Sequence, residues 1–179
     1  MADPRFFTRL GPFPLGELAA IGQAELADPA TADLLIEDIA ALETAGPGQL
    51  SFLDNKSYVD TFAECQAAAC IAAARYKSRA PDDTALLLSE QPYRSFALIA
   101  QAFYPRPKPL PGVGEGAVVH KTASMGFDCQ ISPGAIVMAE ARLGAHCAIG
   151  ANATIGPGVV LGDGCIIGAN VSLSHCQLG

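Results

Sequence analysis

Runs of positive charge, tight cysteine pairs, long apolar stretches and familiar catalytic signatures are all missing from this chain, and each absence removes a class of function. Its 11 Lys and Arg stand against 18 Asp and Glu, a formal net charge of -7. That balance leaves no electrostatic footprint for nucleic acid or for an anionic membrane surface. No stretch stays apolar for about 18 residues, so no membrane span is predicted. The start, MADPRFFTRLGPFPLGELAAIG, lacks a continuous apolar core followed by a cleavage site, and a cytoplasmic chain is expected. The 6 Cys form no CxxC pair or close cluster. They read as reduced, partly buried thiols rather than as a disulfide framework or a structural zinc site. No GxSxG, HExxH or P-loop pattern occurs, which sets aside the common hydrolase, protease and NTPase readings.

What the chain does have is apolar content and turns. Half of its 179 residues are hydrophobic, only 16% are charged, and 18 Gly with 13 Pro favour many turns over long helices. The character changes around FYPRPKPLPGVG, where Pro105, Pro107, Pro109 and Pro111 forbid helix and favour a stiff extended connection. We therefore expect a first domain over 1–104, a proline-rich linker over 105–112 and a second domain over 113–179. In the first, TADLLIEDIAAL and PYRSFALIAQAFYP have helix-like or mixed apolar spacing. CIAAARY and TALLLS read as short strands, so a small α/β domain is predicted.

From Val113 onward the period is six. Units open at Val113, Val119, Met125, Ile131, Val137, Leu143, Ile149, Ile155, Leu161, Ile167 and Leu173, and the fifth place of the first ten is small or β-branched. Two inward positions per unit, each unit a short strand and a turn, is the signature of a parallel β-helix. Gly in the second place of many units is expected to serve the corner, through positive φ or a close backbone approach. The period slips after Leu173, where the next aliphatic-Gly pair, Leu178-Gly179, comes one residue early. A β-helix that stops mid-repeat leaves an unpaired edge, so a truncated chain is expected.

With three faces per coil, residues 18 apart stack. Cys129, Cys147 and Cys165 should form an inward column of buried thiols, one strand spacing apart, with no metal among them. The 3 His do not converge: His120 and His175 share a face three coils apart and His146 lies on another. A three-histidine metal site within one subunit is disfavoured. In the first domain, GQLSFLDNKSYVDTF spaces Phe52, Asn55 and Tyr58 by three. Two aromatic planes around an amide suit a planar base such as uracil, and core aromatics beside an Asn turn would give the same pattern.

The segment IEDIAALETAGPGQLSFLDNKSYVDTF followed directly by a hexapeptide array resembles the UDP-3-O-acylglucosamine N-acyltransferase family of lipid A biosynthesis. The resemblance implies a small N-terminal α/β domain followed by a left-handed parallel β-helix of hexapeptide repeats, assembled as homotrimers. It also implies transfer of a 3-hydroxyacyl group from acyl carrier protein to the 2-amino group of a UDP-linked acylglucosamine, without a cofactor. Phe52, Asn55 and Tyr58 match the family's uracil-holding Phe, Asn and Tyr. The family's catalytic His lies in later coils, so no catalytic residue is expected in this chain and His175 is not assigned that role. The chain alone is expected to bind without turning over. The alternatives are a catalytically silent nucleotide-sugar-binding module and a structural β-helix.

Overall fold

The computed structural model describes residues 3–179 and divides into two compact units, one running to Arg106 and one from Pro107 to Gly179. The first unit contains strands β1 (Phe13–Pro14), β2 (Glu25–Leu26), β3 (Leu35–Ile36), β4 (Asp38–Ile39), β5 (Gln49–Leu53), β6 (Ala69–Ala72) and β7 (Ala85–Leu88). Its helices are α1 (Leu15–Gly22), α2 (Val59–Ala63) and α3 (Pro92–Phe103). Five strands form one sheet in the order β2-β7-β6-β5-β4, in which only the β2-β7 pairing is antiparallel. All four residues of β6, Ala-Cys-Ile-Ala, are buried, as befits a parallel strand covered on both faces.

Each face of that sheet carries its own core. On one side Leu15 and Leu18 of α1 and Ile99 and Phe103 of α3 pack with Leu50, Ile71 and Leu87. On the other, Phe62 of α2 packs with Leu42, Leu53, Cys70 and Leu86. Helix α3 starts with Pro at its first position, where the missing N–H costs nothing, and buries Pro92, Ser95, Ile99 and Phe103 at helical spacing. Helix α1 approaches it through Gly22, where a Cβ would lie 2.8 Å from Ile99 Cδ1.

The segment TADLLIEDIAAL corrects the helix-like reading. It is extended and carries β3 and β4, paired with β1 and β5. Ile36, Asp38, Ala40 and Leu42 are buried, and the residues between them are more exposed. That period of two is a strand pattern. The polar Asp38 in the inward series disguises it. Its buried carboxylate accepts from the Tyr104 hydroxyl at 2.6 Å and from the Ile39 N–H at 2.8 Å, and Arg9 Nη1 lies 3.3 Å away.

The second unit is a prism of two-residue strands in three parallel sheets of four. One sheet stacks Gly112–Val113, Gln130–Ile131, Ala148–Ile149 and Ile166–Ile167. The next stacks Val118–Val119, Ile136–Val137, Thr154–Ile155 and Ser172–Leu173. The third stacks Ser124–Met125, Arg142–Leu143, Val160–Leu161 and Gln177–Leu178. The slip after Leu173 is absorbed in one corner, so that Leu161 pairs with Leu178 in an otherwise unbroken ladder. Ile131, Val137, Leu143, Ile149, Ile155 and Leu161 fill the interior with the small fifth-place residues between them.

The corners separate the two roles expected of the second-place glycines. None of those glycines has positive φ, and all but Gly168 serve close approach. A Cβ on Gly150 would meet the backbone of Gly168 at 2.6 Å, and one on Gly156 the Leu173 oxygen at 2.7 Å. Positive φ belongs to the fourth place, at Asp128, Gly134, Glu140, His146, Asn152, Gly158, Gly164 and Asn170. There the residue's N–H turns toward the coil before it, as in His146 N to Phe127 O at 2.9 Å and Asn170 N to Ala151 O at 2.9 Å. The left-handed conformation thus links corner to corner.

Candidate functional site

The chain leaves β5 at Leu53 and turns into a short 3-10 helix, Lys56–Tyr58, before α2. Asn55 is the residue that makes this turn. Extended at φ -98°, its Oδ1 accepts from the Ser57 N–H at 2.9 Å and its carbonyl from the Tyr58 N–H at 3.0 Å. Such a cap satisfies donors that the first turn of a helix leaves free. The spacing of three therefore spans a strand end and a turn.

Phe52 is half-buried and held from behind. Its ring packs on Phe96 with centroids 4.4 Å apart and meets the edge of Tyr93 at 5.8 Å. Tyr58 is 47% exposed and makes no ring contact with Phe52. Phe52, Asn55 and Tyr58 line a single cleft of about 310 Å³, together with Leu42, Leu53, Glu43 and Asp54. No Lys or Arg lines it. It lies at the carboxyl end of a parallel strand, the edge at which open α/β sheets receive ligands. Three larger hollows, of about 540, 580 and 420 Å³, are walled by groups such as Asp28, Asp82 and Asp83, Thr44, Asp60 and Glu64, or Glu25, Arg75 and Glu90, and none offers an aromatic ring. Chemistry, rather than volume, singles out the smaller cleft.

Sequence reasoning missed the support behind Phe52. Tyr93 and Phe96 stand three apart at the start of α3, a same-face spacing visible in the sequence, but nothing local connects them to Phe52. Glu43 reaches the cleft through the pairing of β4 with β5, which no motif announces.

Four of the six cysteines and all three histidines belong to the prism's own structure. Cys129 and Cys147 are buried, and Cys165, the outermost of their column, is half-buried. The Cys129 and Cys147 thiols donate to the Gly144 and Gly162 carbonyls at 3.1 and 3.2 Å. Burial, chiefly, pushes the Cys147 thiol above its ordinary pKa. All six thiols are free. Among the described residues no three His, Cys, Asp or Glu are grouped to hold a metal ion. His120 Nδ1 accepts from the Thr122 N–H at 3.2 Å, which places the proton of the neutral ring on Nε2. His146 Nδ1 stands 3.9 Å from Asp128 Oδ2, beyond hydrogen-bond reach, and both side chains are mostly exposed. His175 occupies the shortened corner with φ 52°. No histidine lines the cleft.

Residues 33–102, which hold the cleft, match the family model of UDP-3-O-(3-hydroxymyristoyl) glucosamine N-acyltransferase. Residues 122–157 match the bacterial transferase hexapeptide model, and residues 141–175 match the hexapeptide repeat of succinyl-transferase. The chain is similar to the UDP-3-O-acylglucosamine N-acyltransferases. The protein of that name from Parvibaculum lavamentivorans is 49% identical over 105 residues, which are 59% of this chain and 30% of the relative. That of Granulibacter bethesdensis is 41% identical over 132 residues, 73% of this chain and 38% of the relative. UDP-3-O-acylglucosamine N-acyltransferase 2 of Legionella pneumophila is 41% identical over 132 residues, 74% and 38% of the two. The chain thus spans about a third of the length of these relatives. With the hexapeptide matches, the stacked prism is a left-handed parallel β-helix following a small α/β unit. No helix among the described residues is long and apolar enough to cross a membrane.

Proposed function

We propose that the first unit binds the uridine nucleotide of a UDP-linked acylglucosamine, and that Phe52, Asn55 and Tyr58 hold the uracil. The observation that carries this reading is that all three line one cleft, at the carboxyl end of β5, within the stretch that matches the N-acyltransferase family model. Two aromatic rings that do not touch leave room for a planar base between polar edges. The cleft has carboxylates and no cation on its walls, so it suits the base; the diphosphate and sugar extend away from it.

The protein then acts as an N-acyltransferase, moving a 3-hydroxyacyl group from acyl carrier protein to the 2-amino group of UDP-3-O-acylglucosamine in lipid A biosynthesis. It works as a cytoplasmic homotrimer. An amine attacking a thioester needs a base within hydrogen-bond reach and a groove that positions the acyl chain. The cleft contains no histidine, and the three histidines of the prism lack a partner that would make one of them a base. The 179-residue chain by itself is therefore a binding and scaffolding piece. Scanning calorimetry with and without UDP-N-acetylglucosamine tests the reading: a raised unfolding midpoint supports it, and an unchanged midpoint at millimolar ligand overturns it. Product formation by the purified chain with 3-hydroxyacyl carrier protein would overturn the second half.

A further inference from the structure

Residues 4–12 are all exposed, so burial does not hold this segment on the α/β unit. The contacts that tie it down converge on one place, the end of α3. The Leu10 N–H donates to the Phe103 carbonyl at 2.8 Å, one of the acceptors that the last turn of a helix leaves without a partner. The Phe7 ring meets that of Tyr104 edge-on, with centroids 6.4 Å apart. Arg9 Nη1 lies 3.3 Å from Oδ2 of Asp38, whose other oxygen accepts from the Tyr104 hydroxyl. Beyond these contacts the chain enters β1 through Gly11, at φ 105°, a conformation that glycine alone adopts without strain. The segment is thus pinned at Phe7, Arg9 and Leu10 and hinged at Gly11.

The two sides of the Arg9–Asp38 pair are unequal. Asp38 is 1% exposed and its Oδ2 accepts no hydrogen bond, whereas the Arg9 side chain is 45% exposed. Arg9 is the only cation paired with Asp38 among the described residues. A buried carboxylate deprived of its counter-charge is strongly disfavoured, so Asp38 draws the segment down. Arg9 can leave into water with little loss of its own, because nearly half of its side chain is already there. Closed and open states then differ by one ion pair, one ring contact and one backbone hydrogen bond. Opening on that scale lies well below unfolding of the sheet and its two cores.

We propose that residues 4–12 form a strap, hinged at Gly11 and latched by Arg9 on Asp38, that opens while the α/β unit stays folded. Opening uncovers the Asp38 carboxylate and frees the Phe103 carbonyl and Tyr104, directly before the prolines at 105, 107, 109 and 111. The strap therefore governs how firmly the chain is held where it leaves α3. None of these residues lines the candidate cleft, so the strap is a feature separate from nucleotide binding.

Trypsin tests the latch on the whole chain, because it must draw the Arg9 side chain into its own pocket before it can cut the Arg9–Leu10 bond. Where opening is fast relative to cutting, the rate follows the population of the open strap. The parent should be cut there more slowly than a free peptide of residues 4–14, by on the order of tenfold or more. Asp38→Asn keeps an oxygen for the Tyr104 hydroxyl and the Ile39 N–H and removes the charge that holds Arg9. It should speed this cut by on the order of tenfold, the loss of one charge-assisted contact, with cleavage after Arg94, in α3, unchanged. Should Asp38→Asn not fold, Arg9→Gln, at the exposed end of the pair, takes its place. Exchange of the Leu10 amide hydrogen, followed by NMR, should then quicken by a similar factor while that of Ile99 in α3 stays as in the parent. A parent cut after Arg9 as fast as the peptide means that no strap closes. A strap readout unaltered by the substitution removes Asp38 as the latch. Arg94 cleavage or Ile99 exchange rising in step with the strap shows general loosening instead of a hinge. Each of these three results overturns the proposal.

Discussion

The two units bury similar side chains by different means. In the β-helix each residue's neighbours in the core are set by addition: what packs on Ile149 lies 18 residues to either side, at Ile131 and Ile167. In the α/β unit the partners of Leu50 come from Ile39, Ala69 and helices at both ends of the unit, at separations that follow no rule. A periodic core spreads its energy over equivalent positions. An aperiodic one concentrates it in a few large side chains, such as Phe62 and Phe103, which have no equivalents elsewhere. The candidate cleft sits in the aperiodic unit, where unlike groups can be placed side by side.

The largest expected effects test that contrast directly. Phe62→Ala removes a fully buried ring from one face of the sheet and should cost about 3–5 kcal/mol. Ile149→Ala, equally buried, should cost about 2–5 kcal/mol, toward the lower end if neighbouring coils can close in. Chemical denaturation of both variants measures the difference. A larger loss at Ile149 than at Phe62 would break the contrast.

Next come two substitutions in the corners of the prism, expected to act in opposite directions. Gly150→Ala drives a methyl into the backbone of Gly168 and should destabilise by about 1–3 kcal/mol. Glu140→Gly relieves a side chain held at φ 60° and should stabilise by up to about 1 kcal/mol. Losses in both would mean that the second and fourth places do not divide the work as described.

The thiols provide a smaller effect that both units share. Burial pushes up the pKa of Cys70 in the sheet and of Cys147 in the prism. A folded pKa above the unfolded one contributes stability that is complete below the unfolded thiol value of about 8.5 and is lost as the pH rises beyond it. Stability should therefore fall above about pH 8.5, by no more than about 1.4 kcal/mol per pH unit for each thiol. Cys70→Ala or Cys147→Ala should flatten the decline. A stability profile that is flat to pH 10 would contradict the burial of both. Smallest of all, Ser51→Ala removes a buried hydroxyl that has no hydrogen-bond partner, and should be neutral or stabilising by up to about 1 kcal/mol.

The same contrast decides what could be read in advance. The period of six exposed the prism's strands, its inward columns and the stacking of Cys129 on Cys147, because each follows from local spacing. It did not choose between positive φ and close approach at the second place, since glycine signals crowding as well as conformation, and it did not show the positive φ of the fourth place, which is filled partly by Asp, Glu, His and Asn. In the α/β unit, β6 and β7 and helix α3 were legible as apolar runs and helical spacing. β4 was not, because the inward Asp38 breaks its alternation, and what compensates for it comes from Arg9 and Tyr104, far away in sequence. Phe52, Asn55 and Tyr58 were visible as a triplet. Their convergence on one cleft depends on β5 ending at Leu53, and the support from Tyr93 and Phe96 depends on where α3 packs.

The account stands or falls on uridine nucleotide binding between the two rings. Calorimetric titration of UDP into the parent chain, Phe52→Ala and Tyr58→Ala measures this most directly. The loss of a stacking ring should weaken binding by about 1 kcal/mol in each variant, with Tyr58→Ala the cleaner of the two because its ring, 47% exposed, contributes little to the core. UDP affinity identical in all three proteins would contradict the assignment of the cleft.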